Sequence, residues 1–158
     1  MKTMKIPLTQ GKVALVDAED YEYLMQWKWY YLDGYAVRHC PRPATGLIRM
    51  HRTVLERMGF EDFEDSDHRD RNRSDNRRRN LRAVTHHQNN YNRSKQTNNT
   101  SGYTGVYWHR QVKKWCARLK VNGKYKHLGL FTDKEDAARV YNTAARMYHG
   151  EFSVLNKV

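Results

Sequence analysis

The sequence predicts an α+β fold in two parts, and three observations carry that prediction. Asp33-Gly34 and Asn122-Gly123 each stand between runs rich in aromatic and β-branched residues, and both dipeptides supply the positive φ angles of a two-residue hairpin turn. A helical apolar stripe with a capping signal follows the second hairpin, over residues 133–148. Between the hairpins, residues 94–102 read Ser-Lys-Gln-Thr-Asn-Asn-Thr-Ser-Gly, a linker composition. The chain therefore divides into an N-terminal part, 1–93, and a C-terminal part, 103–158, built of three strands and one helix.

In the first part, residues 12–16 read as a strand and 18–26 as a short helix, with Asp17 at its cap and Tyr21, Leu24 and Met25 on one face. Residues 29–32 and 35–38 pair across Asp33-Gly34. A strand at 48–50 leads into a helix over 51–58. From 59 onward the composition changes: acids come first (Glu61, Asp62, Glu64, Asp65, Asp67), then a dense run of Arg and Asn. Periodicity nearly vanishes between 69 and 80, which marks a loop with little core of its own. A short strand at 81–85 and a polar helix at 86–93 follow, with Thr85 or His86 near its cap.

In the second part, residues 105–109, 114–121 and 124–130 read as three strands. Thr132 and Glu135 form a capping box that opens the last helix. Its buried stripe is Ala137, Val140, Tyr141, Ala144, Ala145 and Tyr148. Along the middle strand, Trp115, Ala117 and Leu119 point one way and cover the helix. Cys116, Arg118 and Lys120 point the other way, giving a basic face open to solvent.

Charge and composition narrow the function. The 158 residues carry 29 Lys and Arg against 17 Asp and Glu, a formal charge of +12, and the pI is about 9.8. Such a balance predicts attraction to a polyanion, because neutralised phosphates release condensed counterions. Four Trp and eleven Tyr argue against a tail held open by charge. Cys40 and Cys116 lie far apart, which argues against a disulfide framework and a structural zinc site and suits a reducing compartment. Neither a membrane span nor a signal-peptide core is visible, so a soluble protein is expected.

The residues with chemistry lie in the middle. Phosphodiester hydrolysis needs a base to activate water, a divalent cation to stabilise the phosphorane and leaving oxygen, and a scaffold that orients the base. A strand ending in Asp67-His68 can present a carboxylate and an imidazole to one cavity, and a helix beneath can add an oxygen ligand. Mg²⁺ suits one Asp, one Asn and waters. Asp67-His68, then Asn80-Leu81-Arg82, Val84-Thr85 and Asn89 resemble, in order and spacing, the ββα-metal core of HNH endonucleases of the phage and intron-associated homing type, here about 61–93.

The resemblance implies that His68 is the general base and that Asn80 is the middle residue of the motif, pinning the loop and the His68 backbone. It also implies that Asp67 and Asn89 ligate one Mg²⁺ or Mn²⁺ ion per core, with the neighbouring Asn90 as the alternative to Asn89. The third letter of the motif is Asn rather than His, as in this subgroup. His86 and His87 diverge by about 100° on a helix and do not suit one shared metal. Arg69, Arg71, Arg73, Arg77, Arg78 and Arg79 suit backbone phosphates, contacts that add affinity without sequence information.

Ser101-Gly102-Tyr103-Thr104-Gly105-Val106, residues 114–119, Leu128-Gly129-Leu130-Phe131, residues 135–141 and the closing Gly150-Glu151-Phe152 resemble an AP2/ERF DNA-binding domain. In that family a three-stranded sheet enters the major groove and the helix packs behind it. Carried over by position, Tyr107, His109, Arg118, Lys120, Tyr125 and His127 line the DNA face. Several differ from the Arg or Trp usual in plant members, so the target sequence does not transfer. Residues 6–58 resemble the leader ahead of phage HNH nucleases, and His51 reads there as structural.

The expected whole is an α+β protein: a β-hairpin-containing N-terminal region with a ββα-metal HNH core, linked to an AP2-like three-stranded antiparallel sheet plus helix. Its expected activity is site-directed hydrolysis of double-stranded DNA, by a monomer in the simplest case, in the bacterial cytoplasm during phage infection. The competing reading is a sequence-specific DNA-binding regulator with a decayed nuclease core. An RNA-binding reading lacks a ribonucleoprotein aromatic motif or a GXXG clamp.

Overall fold

The computed structural model describes residues 2–92 and 98–158. The chain forms two compact units, Met1–His86 and His87–Val158. Residues 94–97 of the expected linker lie outside the described residues. Within 98–102, Ser101 is buried and its Oγ donates to the carbonyl of Val106 at 2.7 Å, so these residues already belong to the packing of the second unit. Among the described residues, no helix is long and apolar enough to cross a membrane.

The first unit opens with an antiparallel pair, β1 (Thr3–Pro7) and β2 (Val13–Asp17). Alternation buries Ile6, Ala14 and Val16 on one face. Pro7, which lacks an N–H, ends β1. Helix α1 (Ala18–Leu24) starts at Asp17, but the Asp17 side chain does not cap it. Instead its carboxylate accepts from the backbone N–H of Arg78 at 2.8 Å. Leu24 is buried and Tyr21 packs beside it, whereas Met25 is 42% exposed. Met25 is the C-cap of the helix, still bonded to the Tyr21 carbonyl at 2.9 Å, and its side chain lies at the surface.

Strands β3 (Tyr30–Leu32), β4 (Tyr35–His39) and β5 (Leu47–Arg49) form a sheet in that order. The β3–β4 turn is Asp33-Gly34, with φ of 50° and 92° as a two-residue turn of this type requires. Helix α2 (Met50–Arg57) buries Met50, His51, Thr53, Val54 and Leu55. Its apolar residues meet Leu24 and Trp29 in the core. One buried carboxylate ties distant segments together: Asp20 of α1 takes Arg57 Nε at 2.8 Å and Arg78 Nε at 2.7 Å. Burial alone would raise its pKa, but the Arg78 and Arg57 hydrogen bonds outweigh that and hold the carboxyl below its usual value.

Strand β6 (Asp65–His68) pairs antiparallel with β7 (Leu81–Val84), placing Asp67 opposite Arg82 and His68 opposite Leu81. The 69–80 loop has few apolar residues, and its order comes from hydrogen bonds. Leu15 of β2 donates to Ser74 O and accepts from Asn76 N, both at 2.8 Å. Helix α3 (His86–Tyr91) follows β7.

In the second unit, β8 (Val106–His109), β9 (Lys114–Val121) and β10 (Lys124–Phe131) form an antiparallel sheet in the order β10-β9-β8. Asn122-Gly123 makes the β9–β10 turn with φ of 47° and 82°. Helix α4 (Lys134–His149) packs Ala137, Ala138, Tyr141 and Ala145 against Val106, Ala117 and Leu119. Its cap is Asp133, which accepts from Glu135 N and Asp136 N, in place of the expected Thr132. The stripe also turns from the expected one: Asn142 and His149 are buried, while Tyr148 is 41% exposed. Asn142 is drawn inward by Asn156, whose backbone it bonds at 2.7 and 2.9 Å. Gly105, at φ +73°, admits the Tyr141 ring, because a Cβ there would lie 2.2 Å from Tyr141 Cε2.

Candidate active site

Asp67 and His68 end β6 and are both buried. Asp67 Oδ2 accepts from Arg82 Nε at 2.8 Å and Nη2 at 2.6 Å, across the β6–β7 pair. This buried guanidinium fixes the carboxylate in place, as the outer partners of metal ligands commonly do. His68 Nε2 is 3.4 Å from Asn76 Oδ1. Asn76 Nδ2 donates to Ser74 O at 3.3 Å, which orients the amide so that its oxygen faces the imidazole. An amide oxygen only accepts, so the geometry favours the tautomer with the proton on Nε2 and the basic lone pair on Nδ1.

Burial pushes the His68 pKa below its ordinary value, against the opposing effects of Asn76, Asp67, Asp70 and Asp75. The imidazole is therefore neutral near pH 7, the form a general base requires. His51 of α2 meets His68 edge-on, with ring centroids 5.0 Å apart and planes at 80°. Burial, then His68, Arg49 and Arg52, push His51 down to about 3. Tyr35 of β4 completes this cluster, 5.3 Å from His51 and 6.2 Å from His68 by ring centroids.

Asn80 staples the loop after His68. Its Nδ2 donates to Asp75 O at 2.8 Å and Asp70 Oδ1 at 2.9 Å, and its Oδ1 accepts from Asp70 N at 3.1 Å. Its backbone carbonyl takes Arg69 N at 2.8 Å. The pinned backbone is thus that of Arg69 and Asp70, one and two residues beyond His68.

The loop arginines differ in use. Arg77 lies against Asp75, with Nε on Oδ1 at 2.7 Å and Nη2 on Oδ2. Arg78 grips Asp20 and Glu19, the latter at 2.6 Å. Both guanidiniums therefore serve ion pairs that hold the unit together, a use the composition of the run does not reveal. Arg73 Nη1 bonds the Asp33 carbonyl at 2.9 Å and covers Tyr35. Arg69 and Arg71 are exposed.

Among the described residues, no three His, Cys, Asp or Glu gather as a metal cluster. The oxygen donor that the first unit offers is one carboxylate, Asp67, held by Arg82, and a metal there would need further oxygen ligands. That chemistry fits a hard cation such as Mg²⁺ or Mn²⁺. Asn89 and Asn90 stand on α3, beyond the division between the units.

In the second unit, the register sets Tyr107 opposite Cys116, His109 opposite Lys114, His127 opposite Arg118 and Tyr125 opposite Lys120. All six expected DNA-face residues therefore share the sheet face turned away from α4. Arg118 lies over the Tyr107 and Tyr125 rings, 4.7 and 4.3 Å from their centroids, which holds its charge at the surface. Cys116 shares this face but is buried, with Sγ 3.3 Å from His127 Nδ1.

Residues 49–91 match the family model of the HNH endonucleases. A protein of Acanthamoeba polyphaga mimivirus described as an uncharacterized HNH endonuclease is 28% identical over 154 residues, covering 94% of this chain and 77% of that protein. The matched segment contains Asp67, His68, Asn80 and Asn89. It also contains three contributors that sequence reasoning left out of the site: His51, Asn76 and Arg82. His51 offered a faint signal, as a histidine inside an apolar helical stripe. Asn76 and Arg82 stand among many identical residues, and only the strand register and loop path single them out.

Proposed function

We propose that this chain is a metal-dependent DNA endonuclease whose second unit reads DNA. The observation that carries the proposal is the buried Asp67-His68 pair, with a neutral His68, inside the segment that matches the HNH model. His68 accepts a proton from water as its oxygen attacks phosphorus. The P–O3′ bond breaks and the departing oxygen takes a proton from solvent, leaving 5′-phosphate and 3′-hydroxyl ends. A divalent ion, Mg²⁺ or Mn²⁺, would offset the charge of the phosphorane and the departing oxygen. Asp67 and Asn89 would be its protein ligands. Asn80 acts through the backbone after His68, and Arg82 through Asp67.

Arg69 and Arg71, both exposed, are the loop cations we assign first to backbone phosphates, with Arg77 and Arg78, which also pair with Asp75 and Asp20, beside them. The sheet face of Tyr107, His109, Arg118, Lys120, Tyr125 and His127 would enter the major groove, which admits a β-ribbon. An AP2/ERF-like role for this unit is supported by its three strands with one helix behind them. A homing or nicking role belongs to the same proposal, and the viral relative supports only a viral setting for it. Action by a monomer in the host cytoplasm belongs to the same proposal.

Incubating the protein with supercoiled plasmid in Mg²⁺, Mn²⁺ or EDTA tests the reading. Conversion to open-circular or linear DNA with either ion, abolished by EDTA, is the expected result. DNA binding without cleavage under any metal would favour the regulator instead.

A further inference from the structure

Two arginines of the first unit converge on one ring, that of Tyr35 in β4. Arg49 ends β5 opposite Val37 of β4, so Tyr35 is its diagonal neighbour, within reach of a long side chain. Its guanidinium carbon lies 5.6 Å from the Tyr35 centroid. Arg73 comes from the 69–80 loop, with its guanidinium carbon 4.6 Å from the same centroid. Three contacts fix Arg73: the ring, the Asp33 carbonyl at 2.9 Å, and the bare Cα of Gly34, where a Cβ would lie 3.0 Å from Arg73 Cδ. Gly34 therefore makes the hairpin turn and also leaves room for the arginine. The shared ring brings two positive charges within roughly one Debye length, about 10 Å at 0.1 M salt, so they repel unless an anion joins them. Among the described residues, neither guanidinium pairs with a carboxylate. Both side chains are exposed, where a cation–π contact is weak. Arg77, Arg78 and Arg82 each have an acid beside them, so a purely structural task is met differently elsewhere in this unit.

The ring also sets where an anion would sit. Tyr35 lies 6.2 Å from His68 by ring centroids. A strand whose scissile phosphate meets His68 carries its next charge about 3.4 Å further along the helix axis, and the arginines stand one ring beyond the imidazole. Arg73 walls an open cleft of about 470 Å³ with Gln10, Tyr31, Leu32, Asp33 and Gly34, so a strand can reach it. We infer that Arg49 and Arg73 clamp the DNA phosphate next to the scissile one, and that Tyr35 is the positioning residue that holds both. Planar guanidinium forks match the paired oxygens of a phosphodiester. The clamp rests on the nuclease reading and adds to it the part of the substrate that is held beside the base.

The test uses the full chain and two readouts: plasmid-nicking kinetics in Mg²⁺, and the slope of log DNA affinity against log salt in EDTA. A neighbouring phosphate is held equally in the ground and transition states. Arg49→Ala and Arg73→Ala should therefore each raise KM about 10-fold and leave kcat within about 3-fold of the parent. Each should also lower the salt slope by about one. Arg73→Lys should keep the parental slope, since the charge remains, yet raise KM about 3-fold because the fork is lost. Arg139→Ala on α4 should change neither readout. Tyr35→Phe keeps the ring and should match the parent, whereas Tyr35→Leu should raise KM as the arginine variants do. Should Tyr35→Leu fail to fold, the comparison of Arg73→Lys with Arg73→Ala still decides. Parental salt slopes in both alanine variants would overturn the clamp. A fall in kcat at parental KM would place the arginines on the scissile phosphate itself and overturn the assignment to its neighbour. A parent chain that binds DNA without cutting it would remove the nuclease reading, and the slopes would still show whether these arginines hold a phosphate.

Discussion

In the proposed mechanism His68 is a base only while it is neutral, and its surroundings decide that. Burial beside His51 and Tyr35 lowers its pKa, against the Asn76 hydrogen bond that raises it, so the cleavage rate should be flat from about pH 8 down to about pH 7. An acid limb should appear only below its ordinary value of 6.5. A kcat–pH profile at saturating Mn²⁺ reads this directly, and a limb centred above 7 would contradict it. His51 has a separate consequence for stability. Its folded pKa of about 3 lies well below the ordinary 6.5, so between these values the unfolded chain binds a proton that the folded chain does not. Stability therefore falls as pH drops below about 6.5, by about 2 kcal/mol at pH 5. Urea unfolding at pH 7 and pH 5 should show this loss, and His51→Gln should reduce it, leaving the share of His68 and His149, which burial also pushes down.

At the scale of elements, turns and caps carry predictions of their own. Gly105→Ala should destabilise the second unit by at least about 2 kcal/mol, because its Cβ would meet the Tyr141 ring and Arg118 O, 2.6 Å away. Asp133→Ala should cost about 1 kcal/mol for the lost α4 cap, and Asp20→Asn about 3 kcal/mol for leaving two arginines half-buried without their carboxylate. Thermal unfolding followed by circular dichroism ranks the three. Which elements were legible follows from the same physics. Asp33-Gly34 and Asn122-Gly123 announce their hairpins because few dipeptides adopt two positive φ angles. Strand β1 was not visible, because Met4 and Ile6 offer too short an alternation before Pro7. The cap at Asp133 and the inward turn of Asn142 depend on a fit between α4 and Asn156 that no local pattern encodes. Asp67 and His68 are neighbours in the sequence and stand out locally, whereas Arg78 pairs with Asp20 on a distant helix, a partner that a run of identical residues does not reveal.

At the scale of the whole molecule, the proposed function places the general base in the first unit and DNA reading on the sheet of the second. Replacing Arg118 and Lys120 together by Ala should weaken DNA binding and lower the slope of log affinity against log salt by about two, with Mn²⁺ affinity unchanged. A slope equal to the parent's would mean that this face does not meet DNA. If His68 activates the attacking water, plasmid nicking by His68→Ala beside the parent protein in Mn²⁺ reveals it. His68→Ala should bind the plasmid with parental affinity and lose nicking by at least about 100-fold, the share that a general base contributes. Nicking by His68→Ala at the parental rate, abolished by EDTA in both proteins, would contradict it.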